Sequence, residues 1–225
     1  VQILLLAQAA GVFKMGNISL DGSKIHADAS KSKAVSYKRL IALEAKIRNE
    51  VKELFDLGER VDQGEIQLPE GLVLQDEISM REERLVNLSR AKTVLEERAK
   101  ERYEGEKAEY EAKQKKHRHK PRGRTPKPPE EGPRDSDQYN FTDPESRIMK
   151  NSTNKGIDQH YNAQAVVEQE SMLIMATALS NHPNDKKEAI PTLDAISPKI
   201  GKPDAAALDN GYFSETNIRA FENRG

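Results

Sequence analysis

The chain has 225 residues, 36% hydrophobic and 32% charged, with a formal net charge of -1. That length suits one sizeable domain or two small ones, and so high a charged fraction places part of the chain outside any core. The absence of cysteine excludes a disulfide scaffold and a thiolate metal site and fits a reducing compartment, here read as the cytoplasm.

The opening run Val1 to Gly11 is apolar but too short to span a bilayer, and it lacks the basic leader of a signal peptide. It reads as the tail of a helix ending at Gly11. With no initiator Met, and with a final helix from Ser214 that stops at Gly225, the chain is expected to be a piece of a longer protein, truncated at both ends.

Two stretches organise the rest. Asn17 to Ser23 and Ala205 to Tyr212 each read as a short buried strand that ends at a Leu-Asp pair, with a glycine following to turn the chain. If these strands lie side by side, Asp21 and Asp209 meet. Adjacent carboxylates repel unless a proton or a divalent cation stands between them, so the pair suggests half of a magnesium site. The alternative is that each aspartate caps its own turn.

Between the two stretches, Ser23 to Lys33 is small and polar and reads as a loop. From Ser36 the period becomes helical, with Leu40, Leu43, Ile47, Val51 and Leu54 on one stripe and Gly58 as a stop. A turn-rich interval leads to a second helix over about Gln75 to Gln114, with Ile78, Leu85, Leu88 and Leu95 in a seven-residue register. The two stripes predict an antiparallel hairpin whose far end stands in solvent. A basic tract follows, where Lys113, Lys115, Lys116, Arg118, Lys120, Arg122 and Arg124 accompany several prolines with no acid between Glu111 and Glu130. It reads either as a mobile contact for DNA phosphates or as a solvated linker. Ser146 to Met149 then suggests a short strand. Tyr161 to Glu168 and Met172 to Leu179 form a hairpin around Gln169 and Glu170, and Asn184 or Asp185 caps a helix bearing Ile190, Leu193 and Ile196. The expected divisions are 1–33 for the end of an N-terminal region and the first strand, 34–116 for the helical hairpin, 117–138 for a basic linker and 139–225 for the remainder of the sheet domain.

This order, an α/β mixed sheet interrupted after its first strand by a coiled-coil-like helical insertion, resembles the ribonuclease H-like fold. Leu20 to Ser30 is similar to the segment around the first catalytic aspartate of insertion-sequence transposases of the DDE class. The blocks Asp143 to Lys150, Tyr161 to Gln164 and Leu208 to Phe213 resemble three further blocks of that class in the same order, with Glu145 and Asn210 as departures. The resemblance implies DNA cleavage and strand transfer at insertion-sequence ends, supported by two Mg2+ or Mn2+ ions, with Asp21 bridging both and Asp209 holding one. It implies DNA as partner, a homo-oligomer on DNA in the complete protein, and neither a membrane nor a small-molecule substrate. The class's third acid, a glutamate on a later helix, has no counterpart before Gly225, and Glu215 stands too near Asp209 to serve. The expectation is therefore the transposase fold without a competent active site. Lys24 is a candidate phosphate contact beside Asp21. The competing readings are a scaffold that works through its helical hairpin and basic tract, and a metal-dependent nuclease of the same fold.

Overall fold

The computed structural model describes residues 1–116, 127–150 and 156–224. They form a mixed α/β protein of two compact units: residues 1–32 with 142–225, and residues 33–141. Among the described residues no helix is long and apolar enough to cross a membrane.

The first unit contains helix α1 (Gln2–Ala9), strand β1 (Ile18–His26), strands β4 (Arg147–Lys150), β5 (Ile157–Glu168) and β6 (Ile174–Ser180), helix α4 (Ala189–Asp194), strand β7 (Ala206–Leu208) and helix α5 (Glu215–Glu222). Within the second lie β2 (Ala34–Ser36), α2 (Tyr37–Asp62), α3 (Leu74–Lys116) and β3 (Gln138–Asn140).

In the first unit the described strands build a five-stranded mixed sheet. β5 pairs antiparallel with β1 along one edge, and its other edge is shared between β4, near its start, and β6, along its second half. β7 lies on the free side of β1, parallel to it. Alternation along β5 sends His160, Asn162, Gln164, Val166 and Glu168 to the buried side. Ile18, Leu20 and Val166 then pack with Leu4, Phe13, Met175, Ala189, Ile200 and Tyr212 into one apolar core. The β5–β6 turn is local chemistry: the Glu168 carboxylate accepts from the backbone N–H groups of Glu170 and Ser171 and from the Ser171 hydroxyl. Those bonds hold its carboxyl below the usual range, and Met172, whose N–H donates to the Glu168 carbonyl, closes the turn at a positive φ of 57°.

β1 runs on through His26, so the loop expected from Ser23 begins later. Asp21 is an interior strand residue opposite Ala165, and Gly22 does not turn the chain. The pairing with β5 continues because β5 is long enough to cover nine residues of β1, whereas β7 covers three. The helix expected from Asn184 is divided. Asn184 caps a 3₁₀ turn over Asp185–Lys187, and α4 starts afresh at Ala189 with Pro191 in its first turn, where a missing N–H is harmless.

In the second unit α2 and α3 form an antiparallel hairpin. Tyr37 donates to Glu96, Glu44 meets Lys92, and Glu50 meets Arg81, so ascending positions on one helix match descending ones on the other. Leu40, Ile47, Leu88, Ala91 and Leu95 are buried between them with Val35 and Tyr139. α2 passes through Gly58 and ends at Asp62, because the positive φ is taken by Gly64. Beyond Leu95, where the apolar register fades, α3 still makes contacts as far as Glu106. Ala99 is fully buried, Arg102 binds both the Asp137 carboxylate and the Gly132 carbonyl, and Arg134 reaches Glu106. These charged side chains carry the returning chain to β3, which pairs with β2. An apolar period cannot report such packing.

Candidate functional site

The parallel ladder between β1 and β7 aligns Ile18 with Ala206, Ser19 with Ala207 and Leu20 with Leu208. Asp21, still inside β1, and Asp209, just past the end of β7, come next, so two exposed aspartates follow the ladder at one level. Each also has a local role. Asp21 Oδ1 accepts from the Gly22 N–H at 2.7 Å, and Asp209 Oδ1 accepts from the Gly211 N–H at 2.8 Å, capping the 3₁₀ turn Asn210–Tyr212. One oxygen of each is thereby engaged by the backbone, and the Asp209 bond, to the N–H two residues on, is an Asx turn.

Close to this pair is a polar network that is only partly legible in the sequence. Asn162 and Gln164 alternate along β5, so they share one face, and both are buried. Their side-chain amides donate to Asp185 Oδ1 at 2.7 and 3.1 Å. Lys24 Nζ reaches the same oxygen at 3.2 Å, with its side chain 16% exposed. The other end of the Gln164 amide accepts from the Tyr212 hydroxyl. Asn217 on α5 donates to the carbonyls of Lys186 and Tyr212, tying the turn before α4 to the turn after β7. Gly22 belongs to this network. A Cβ there would lie 3.0 Å from Gln164 Cδ and Oε1 and nearer still to Nε2, so the glycine is where a side chain crosses the strand.

Sequence alone makes Asp185 a candidate helix cap and assigns Tyr212 no role. In the fold Asn184 is the cap, and Asp185 is the acceptor of the network. Burial disfavours the charged form of Asp185 more than any single contact favours it, yet the Asn162 bond, the Lys24 ammonium and the Gln164 bond together hold its carboxyl below the usual range. Burial, followed by the charges of Asp185, Asp21, Asp209 and Glu188, pushes the Tyr212 phenol well above its ordinary value. Tyr212 is therefore a neutral donor surrounded by acids. The one sequence signal for this arrangement is the alternation of Asn162 and Gln164; nothing in sequence joins Asp185 to Lys24, 161 positions away.

Lys113, Lys115 and Lys116 lie in the last turn of α3, with Lys115 exposed; the side chains of Lys113 and Lys116, and all of Arg118, Lys120, Arg122 and Arg124, lie outside the described residues. His26 and His160 stack with ring centroids 4.1 Å apart, His160 Nδ1 sits 2.9 Å from the Asp158 carbonyl, and Asp158 is bridged to Lys31 at 2.8 Å.

As a donor set, Asp21 and Asp209 offer hard carboxylate oxygens of the kind Mg2+ and Mn2+ prefer. Among the described residues no cluster of three or more His, Cys, Asp or Glu is arranged to hold a metal. Two carboxylates nonetheless suit magnesium, which keeps several waters and commonly takes one or two protein carboxylates together with substrate phosphates. No protein family, curated protein or solved structure matches the chain.

Proposed function

We propose that the unit formed by residues 1–32 and 142–225 is a ribonuclease H-like domain of the DDE transposase type, which binds divalent cations at Asp21 and Asp209 and acts on DNA. The observation that carries the reading is the parallel register of β1 and β7, which brings two sequence-distant aspartates to one level beside an antiparallel β1–β5–β6 run. In this reading Asp21 and Asp209 would hold the cation, and the chemistry it would supply is activation of an oxygen nucleophile and neutralisation of charge on the leaving oxygen. Tyr212 and Gln164 fix the turn that carries Asp209. The activity proposed for these 225 residues is cation and DNA binding.

The test is Mn2+ binding to the full chain, followed by electron paramagnetic resonance, beside Asp21→Asn and Asp209→Asn. Each substitution is expected to weaken binding by about tenfold or more, since each removes a charged oxygen ligand. Equal affinity in all three proteins would overturn the reading.

One observation favours a scaffold instead: both aspartates already cap backbone N–H groups. On that reading the helical hairpin and the basic tract do the work, and neither substitution alters Mn2+ binding.

A further inference from the structure

The network beside the aspartate pair contains a cation of its own. Lys24 extends from β1 on the buried side of the sheet, and its ammonium pairs with Asp185 Oδ1, the oxygen that also receives the amides of Asn162 and Gln164. The second oxygen, Oδ2, faces the turn after β7: a Cβ on Gly211 would sit 3.6 Å from it and 2.9 Å from Asp209 Oδ1. Asp185 thus stands between Lys24 and the turn that presents Asp209, with one oxygen toward each. That Lys24 is 16% exposed at its side chain and Asp185 30% makes their pairing only partly screened, and two amide donors fix the acceptor in place.

We propose that Asp185 is a positioning residue for the aspartate pair, acting as the counter-ion that keeps the Lys24 ammonium away from Asp209 and so leaves the Asp21 and Asp209 carboxylates free for a divalent cation. The inference rests on the cation-binding reading of those two residues. Its physical content is a competition. An ammonium and a divalent cation seek the same carboxylate oxygens, and an ammonium tethered on β1 has a high effective concentration at its neighbours. Asp185 wins the ammonium because its oxygen is held by Asn162 and Gln164 and needs no reorganisation to accept it. The same bonds orient the Gln164 amide so that its oxygen meets Tyr212, and through Tyr212 they steady the Asp209 turn.

A merely structural role and a counter-ion role separate in a double-substitution cycle read by Mn2+ affinity of the full chain, with Mn2+ alone as the probe. Asp185→Asn keeps an oxygen for the amides but removes the charge. It is expected to weaken Mn2+ binding about tenfold, because Lys24 then turns to Asp209. Lys24→Gln in the same protein is expected to restore affinity to within about threefold of the unmodified chain, as the competitor is gone. Lys24→Gln by itself keeps Asp185 charged and is expected to tighten Mn2+ binding about threefold, which keeps the proposal open to refutation even if Asp185→Asn fails to fold. Unchanged affinity in Asp185→Asn, no restoration in the double variant, or weaker binding in Lys24→Gln alone each overturns it. Mn2+ binding that Asp21→Asn abolishes and Asp185→Asn leaves untouched removes the role of Asp185 and keeps the aspartate pair. Loss of both effects, with no Mn2+ bound by the unmodified chain, removes the aspartate-pair reading and this one with it.

Discussion

Leu20 of β1 and Leu208 of β7 are register partners in a parallel ladder of three pairs, and each is followed by an aspartate. Leu20 is 2% exposed, so the level at which the two acids leave the sheet is set by a buried side chain just before one of them. Leu20→Ala is expected to cost about 3 kcal/mol in a denaturant titration, the range for truncating a buried leucine. A loss under about 1 kcal/mol would mean that the core here is not packed as described.

Gly22 tests whether the Gln164 amide really crosses β1. Gln164 is held at both ends, by Asp185 and by Tyr212, so it cannot swing away from a new methyl group. Gly22→Ala is expected to destabilise the fold by about 1–3 kcal/mol through this collision. Gly105→Ala is the control: it is interior to α3 with open space around its Cβ position, and helix propensity alone predicts a gain of about 0.5–1 kcal/mol.

Two phenols set an alkaline limit. Tyr161, half-buried and donating to both oxygens of Asp143, is raised to about 12, and the buried Tyr212 is raised further still. For an acid whose folded pKa lies above its unfolded value of 10.0, the unfolded chain loses its proton first, so stability falls as pH rises above that value. Absorbance titration near 295 nm should show late phenol ionisation, and Tyr161→Phe and Tyr212→Phe should each remove one late component. Tyr212→Phe is also expected to cost about 1–3 kcal/mol, because the Gln164 oxygen is left buried without its donor.

Asp185 sets an acid limit of opposite sign. Its folded carboxyl lies below its ordinary value of 3.8, so its contribution is present in full above that value and is lost as pH falls through the folded one. The stability gap between the unmodified chain and Asp185→Asn should therefore narrow as pH falls below about 4 in thermal melts. A gap that stays constant would show that the carboxylate charge is not what the three donors recognise.

The basic tract is tested by salt. Replacing Lys113, Lys115, Lys116, Arg118, Lys120, Arg122 and Arg124 with Gln should flatten the dependence of DNA affinity on salt, by about 0.9 in the log-log slope for each phosphate that is no longer neutralised. An unchanged slope assigns the tract to linking rather than binding.

Much of this protein is legible in its sequence because the relevant patterns are local. Apolar residues at spacings of three and four between Leu40 and Val51 fix a helix wherever it packs, and alternation from Tyr161 to Glu168 fixes which side chains of β5 share a face. The Leu-Asp pairs mark two strands whose adjacency the β1–β7 ladder then supplies. What the sequence could not specify is where each element stops and what its polar groups meet. β1 outruns Gly22 because β5 offers it partners through His160. Gly22 is there for Gln164 rather than for a turn, and α3 is covered to Glu106 by arginine contacts that have no periodicity. The Lys24, Asp185, Gln164 and Tyr212 network draws on β1, β5 and two turns. Hydrogen bonds between residues so far apart leave no spacing to read, so only the tertiary structure, which brings those elements together, could decide them.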